Sequence, residues 1–149
     1  MTEKKTHVLG YDIGGTKVAV CVADTDGNVV ASDRVPSGAA REYEDVLPEM
    51  IRLGKKVVSD AGLELDQVRA CGLCAPGPLD LEKGLMRKSP NLLWDDVPIR
   101  DDIADGLGLP AFLDNDANAG VLAEWFFGIA KGCRDVIYLT MSTGIGGGV

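Results

Sequence analysis

The chain has no clustered lysine or arginine, no long apolar run and no second histidine to accompany His7. Each absence removes a class of function. Lysine and arginine total 15 against 23 acidic residues, for a net charge of −8, so a nucleic-acid surface is not expected. No apolar stretch approaches the roughly 18 residues of a membrane span. The start, Met1-Thr2-Glu3-Lys4-Lys5-Thr6, lacks the apolar core of a secretory leader, which makes the cytoplasm the expected location. His7 opens a strand and is given no role. Cys71-Gly72-Leu73-Cys74 has C-x-x-C spacing, but positions three apart on a strand face opposite ways. Without a second such pair or a Cys/His partner, no zinc site is expected, and buried free thiols are the better reading. The phosphate loop G-x-x-x-x-G-K-[ST] is also missing.

What is present is a real core, with 46% hydrophobic residues over 149, and two glycine-rich turns between apolar strands. Residues 7–35 read as three strands, with Asp24-Thr25-Asp26-Gly27-Asn28 as a hairpin signal. Apolar spacing predicts a helix over 45–61, capped by Asp45, with Pro48 in its first turn and Gly62 at its end. A buried strand is expected over 68–74, stopped by Pro76-Gly77-Pro78. A second helix is expected over 98–107, closed by Gly108. Ala111-Phe112-Leu113 reads as a strand, Ala117 to Ala130 as a third helix, and 135–141 as a last strand. The order β-β-β-α-β-α-β-α, then a further strand, predicts an α/β domain with a mixed sheet over residues 1–134. Residues 135–149 read as the first strand and turn of a second, similar unit.

The chemistry gathers at three places. Asp12-Ile13-Gly14-Gly15-Thr16-Lys17 joins two strands, and Ser142-Thr143-Gly144-Ile145-Gly146-Gly147-Gly148 follows the last strand. Glycine lets backbone N–H groups approach an oxyanion. Taken alone, a Gly-Gly turn is ordinary hairpin structure. A carboxylate beside it, Asp12, suits a hydrated Mg²⁺. Between the turns, Leu113-Asp114-Asn115-Asp116-Ala117-Asn118 marks a strand-to-helix corner. Asp116 reads equally as a helix N-cap and as a general base, and Asp114 as structural. Asn115, with donor and acceptor, suits a pair of hydroxyls. Trp94 suits the wall of such a site or the core, and Trp125-Phe126-Phe127 suits packing at a domain junction.

These motifs, with Pro76-Gly77-Pro78 and Asn91-Leu92 plus Trp94, resemble in order and approximate spacing those of the ROK sugar kinases, within the sugar kinase/actin/heat-shock ATPase superfamily. The resemblance implies an actin-like, RNase H-like domain and ATP-dependent phosphorylation of a hexose or N-acetylhexosamine, glucose first among them. It implies Asp116 as base, and Gly77, Asn91, Asn115 and Asp116 around the sugar. It implies ATP held by Asp12, Gly14, Gly15, Thr16, Lys17, Thr143, Gly144, Gly146 and Gly147, with Asp12 reaching Mg²⁺ through water. It also implies a homodimer. ROK regulators carry a helix-turn-helix ahead of the kinase-like part, whereas the first phosphate strand here begins by His7, which favours the kinase; a sugar-sensing or non-catalytic protein is the alternative. Family members are about twice this long and carry a zinc stretch that this sequence lacks. A polypeptide of residues 1–149 is therefore expected to be inactive alone. Its run Val136-Ile137-Tyr138-Leu139 is expected to be disordered, to fold back or to pair with another molecule.

Overall fold

The computed structural model describes residues 6–37, 40–89, 92–141 and 145–149. Five strands form one mixed sheet in the order β3-β2-β1-β4-β7. They are β1 (His7–Ile13), β2 (Lys17–Asp24), β3 (Val29–Pro36), β4 (Val68–Ala75) and β7 (Ala111–Asn115). β1, β4 and β7 run parallel, and β2 pairs antiparallel with both β1 and β3. Alternation sets the two faces. Leu9, Tyr11, Ile13, Val18, Val20 and Val22 point into the core, under helices α1 (Tyr43–Asp60) and α2 (Ile99–Leu107). Val46, Met50, Leu53 and Val57 line the buried stripe of α1. Tyr11 fills the space against that helix and donates from its hydroxyl to the Met50 carbonyl at 3.0 Å. A Cβ on Gly54 would collide with that hydroxyl, so glycine there permits the close approach.

The Asp24–Asn28 hairpin forms as expected, with Asp24 Oδ1 accepting from the backbone N–H of Asp26 and Asn28, both at 2.9 Å. The start of α1 differs from the sequence reading. Glu42 is its N-cap and Asp45 lies inside the helix, so Pro48 falls beyond the first turn. The cause is tertiary. Tyr43 is buried, stacks edge-on against Trp94 with ring centroids 5.3 Å apart, and donates to Asp102 at 2.8 Å. Trp94 is thereby a core residue, its indole N–H donating to the Arg41 carbonyl at 3.1 Å. Pro98 precedes α2 as its N-cap, and Gly108 ends it with φ 68°.

After β4 comes a turn with a cis Gly77–Pro78 bond, then a small hairpin of β5 (Leu79–Asp80) and β6 (Leu85–Met86). Strands of two residues carry no readable period, so the sequence pattern does not show them. Helix α3 (Asp116–Phe126) lies on the other side of the sheet and stops four residues before the expected Ala130. Its end packs onto its own loop, with Trp125 donating from its indole to the Cys133 carbonyl at 2.9 Å. Trp125, Phe126 and Phe127 stay 42%, 54% and 55% exposed, so the aromatic run is not buried within this chain. The last apolar run folds back, as β8 (Tyr138–Met141) pairing with β9 (Ile145–Gly148) in a hairpin against α3. Among the described residues, no helix is long and apolar enough to cross a membrane.

Candidate functional site

Parallel strands bring their C-terminal ends to one edge, where open α/β sheets place their ligands. β1, β4 and β7 end here at Ile13, Ala75 and Asn115. The register sets Asp12 beside Cys74, Cys74 beside Asp114, and Ala75 beside Asn115. Three connections leave this edge: the turn at Gly14–Lys17, the segment through Gly77, and the start of α3 at Asp116. Asp12, Gly14, Gly15, Thr16, Lys17, Gly77, Asn115 and Asp116 thus share one rim. Asn91, Thr143 and Gly144 lie outside the described residues.

The corner after β7 separates the two readings of Asp116. Asn115 is the N-cap: its side-chain oxygen accepts from the N–H of Ala117 at 2.9 Å and of Asn118 at 3.4 Å. Asp116 is the first helical residue, and it is exposed. Its Oδ1 accepts from Ala117 N–H at 2.8 Å, and no hydrogen bond among the described residues uses its Oδ2. Asp114 is structural, accepting from Asn115 N–H at 2.7 Å and from the Asn118 amide at 2.9 Å. The expectation that Asn115 offers both a donor and an acceptor is therefore corrected. Its oxygen is engaged by the cap and its amide reaches the Ala75 carbonyl at 3.4 Å, which leaves one N–H.

Cys74 ties Asp12 and Asp116 to one field. Its thiol donates to the Tyr11 carbonyl at 3.3 Å and lies 3.9 Å from Asp12 Oδ1. Burial first, and then the negative carboxylates of Asp12 and Asp116, push it up to about 12. Cys71 is also pushed to about 12, by burial and then by Cys21, and it sits in the core on the opposite face. Both stay as thiols near neutrality. Below this row, an apolar groove of about 370 Å³ runs over Gly10, Cys21, Gly72, Cys74 and Ala119, with Asp12 at its rim.

The first glycine turn is pre-formed. Gly14 N–H donates to the Lys17 carbonyl at 2.9 Å, and a Cβ on Gly14 would press to 3.3 Å from that oxygen. Because that N–H closes the turn, Gly15, Thr16 and Lys17 are the turn residues that could meet an anion, and Thr16 and Lys17 are exposed. Asp12 is a single exposed carboxylate beside them. Among the described residues no group of three or more His, Cys, Asp or Glu side chains could cage a metal. That donor set fits Mg²⁺ held mainly by water and phosphate, with one carboxylate in support.

Of the second glycine segment, Gly146 and Gly147 belong to β9 and pair with Thr140 and Leu139. The glycine with a structural duty is Gly148, which is buried. A Cβ there would collide with the Ala117 carbonyl, in the first turn of α3 beside Asp116. Alternation of three glycines in Gly146-Gly147-Gly148 gives no signal of which one meets the helix.

The chain is 36% identical over 148 residues to a glucokinase of Thermotoga maritima, covering 97% of this chain and 44% of that protein. It is 30% identical over 142 residues to a xylose repressor of Caldicellulosiruptor bescii, covering 95% and 36%. Among solved structures, a ROK hexokinase from Thermus thermophilus superposes with a TM-score of 0.83 at 39% identity, covering 95% of this chain and 45% of that one. A ROK family glucokinase from Streptomyces griseus, solved with glucose and AMPPNP, gives 0.82 at 33% identity, covering 95% and 43%. The chain thus spans less than half the length of these relatives. Its mixed sheet and helices have the actin-like ATPase fold of the ROK sugar kinases. The family model described as ROK family matches residues 8–149, and the chain belongs to that family.

Proposed function

We propose that this chain carries the acceptor-activating wall of an ATP-dependent sugar kinase, with glucose as the leading acceptor. One observation carries the reading: Asn115 takes the helix cap, which leaves Asp116 an exposed carboxylate in the same field as Asp12. The most similar kinases include proteins named glucokinase, at 34% and 36% identity.

The chemistry follows from position. Asp116 stands at the N-terminus of α3, with one carboxylate oxygen outside the hydrogen bonds of the described residues. It accepts the proton of the sugar hydroxyl as that oxygen attacks. Phosphoryl transfer through a loose transition state asks mainly for alignment, which this position supplies. The remaining amide N–H of Asn115 and the exposed backbone at Gly77 orient the sugar. Metal-bound nucleotide supplies the phosphoryl group when it is present. Gly15, Thr16 and Lys17 would hold its phosphates at the end of β1, Asp12 would support the hydrated Mg²⁺, and Gly146 and Gly147 would come to the phosphates from β9.

A sugar-responsive regulator is the second reading, supported by the likeness to xylose repressors. ATP consumption measured on a panel of hexoses and N-acetylhexosamines, with the protein expressed from its complete reading frame, separates them. Glucose-dependent turnover is expected. Sugar binding without turnover would favour the regulator.

A further inference from the structure

The proposed sugar-facing turn at Gly77–Pro78 has little of its own to hold it, since it is a loop between β4 and the two-residue β5. Its support comes from Arg87. The Arg87 backbone N–H donates to the Pro78 carbonyl at 3.0 Å. Its guanidinium meets Asp80 at 2.7 Å on one side and Asp96 at 2.8 Å on the other. Asp96 holds a left-handed backbone with φ 53°, a conformation that a non-glycine residue keeps only where its surroundings impose it. Next to it, Met86 and Val97 exchange two backbone hydrogen bonds, each 3.0 Å. The side chain therefore joins β5, two residues beyond the Gly77–Pro78 turn, to the segment that returns to α2, while the backbone N–H of the same residue bonds the turn itself.

The far side of that hairpin is secured separately. The Arg100 guanidinium donates to the carbonyls of Leu81, Glu82 and Lys83 at 3.2 to 3.3 Å. The hairpin turn is thus fixed without Arg87. What Arg87 adds is the link between hairpin, returning segment and Gly77 turn, at the edge where Asp116 stands.

We propose that Arg87 is a positioning residue for the sugar acceptor, acting through Asp80 and Asp96 to fix the Gly77–Pro78 turn against Asp116. The proposal rests on the sugar-kinase reading. Its side chain is about one-third exposed, so its bonds to two carboxylates are short but partly solvated. The effect of losing them is local alignment more than global stability. A planar fork presents its ends to the two carboxylates in a fixed geometry, which an ammonium on a flexible stem does not impose.

The test uses the protein from its complete reading frame, with glucose and Mg-ATP as probes. Arg87→Met should raise the glucose KM about tenfold while the nucleotide KM and the melting temperature change little. Arg87→Lys should recover part of the loss. Arg87→Met combined with Asp96→Asn should be no worse than Arg87→Met alone, because both remove one linkage. Unchanged glucose affinity in Arg87→Met would overturn the proposal, and so would a parallel loss of nucleotide affinity and melting temperature. If the wild-type protein neither binds nor phosphorylates any hexose, the sugar-kinase reading itself fails and the assignment of Arg87 falls with it.

Discussion

The two glycine-rich segments, Gly14–Gly15 and Gly146–Gly148, differ in what stands behind them. The turn at Gly14–Gly15 joins two inner strands of a five-stranded sheet, and the residues leading into and out of it, Ile13 and Val18, are fully buried. The turn between β8 and β9 joins the strands of an isolated two-stranded ribbon. Ile137, Leu139, Met141 and Ile145 there are 67–80% exposed. The ribbon is held to the rest by Tyr138 lying over Gly120 and by Gly148 against Ala117. The first turn is pre-organised by its own sheet, while the β8–β9 ribbon is docked on α3. The same helix start also presents Asp116, so the ribbon and that carboxylate are mechanically joined.

The difference can be broken most severely on the weaker side. Gly148→Val places a branched side chain against the Ala117 carbonyl, with an overpacking cost of about 1–3 kcal/mol on hairpin docking. Amide exchange of Tyr138–Met141 should accelerate while that of β1 stays slow. Equal protection in both would mean that the hairpin does not depend on α3. Gly14→Val should do less, because the neighbouring Lys17 oxygen can yield a few tenths of an ångström. Its expected signature is weaker nucleotide binding with β1 protection intact.

Asp12→Ala separates the first turn from its carboxylate. Mg-nucleotide affinity should fall several-fold with sugar affinity preserved, read by calorimetry with each ligand in turn. A smaller effect appears in alkali. Folded Cys71 and Cys74 titrate near 12 against an ordinary 9.0, so the folded state holds protons that the unfolded chain releases. Stability from these groups is complete below pH 9 and lost as the pH rises toward 12. Cys71→Ala should flatten that alkaline decline in denaturant titrations.

The strands around the first turn were legible because alternation and the Asp24–Asn28 turn agree. The start of α1 was not, because Tyr43 is recruited by Trp94 and Asp102, distant in sequence. The corner at β7 was half legible. Asn and Asp both cap helices, so their order alone does not say which of Asn115 and Asp116 does so. That decision depends on the strand running to Asn115, two residues beyond its apolar part. Arg87 gave no signal at all, since its partners Asp80 and Asp96 are joined to it only by a turn and a hairpin of two-residue strands. On the proposed reading, base, acceptor and nucleotide must be held together in one cleft, and a purified polypeptide of residues 1–149 is expected to show negligible sugar-dependent ATP turnover.

The account rests on Asp116 being the base and Asn115 the cap. The direct measurement is glucose-dependent ATP turnover and melting temperature for Asp116→Asn beside Asn115→Ala, in the protein from its complete reading frame. Asp116→Asn should lose about 10²–10⁴ in turnover with sugar affinity within a few-fold and little change in melting temperature. Asn115→Ala should cost about 0.5–2 kcal/mol of stability. Near-normal turnover in Asp116→Asn, together with a lowered melting temperature, would make Asp116 a helix-terminus residue and contradict the account.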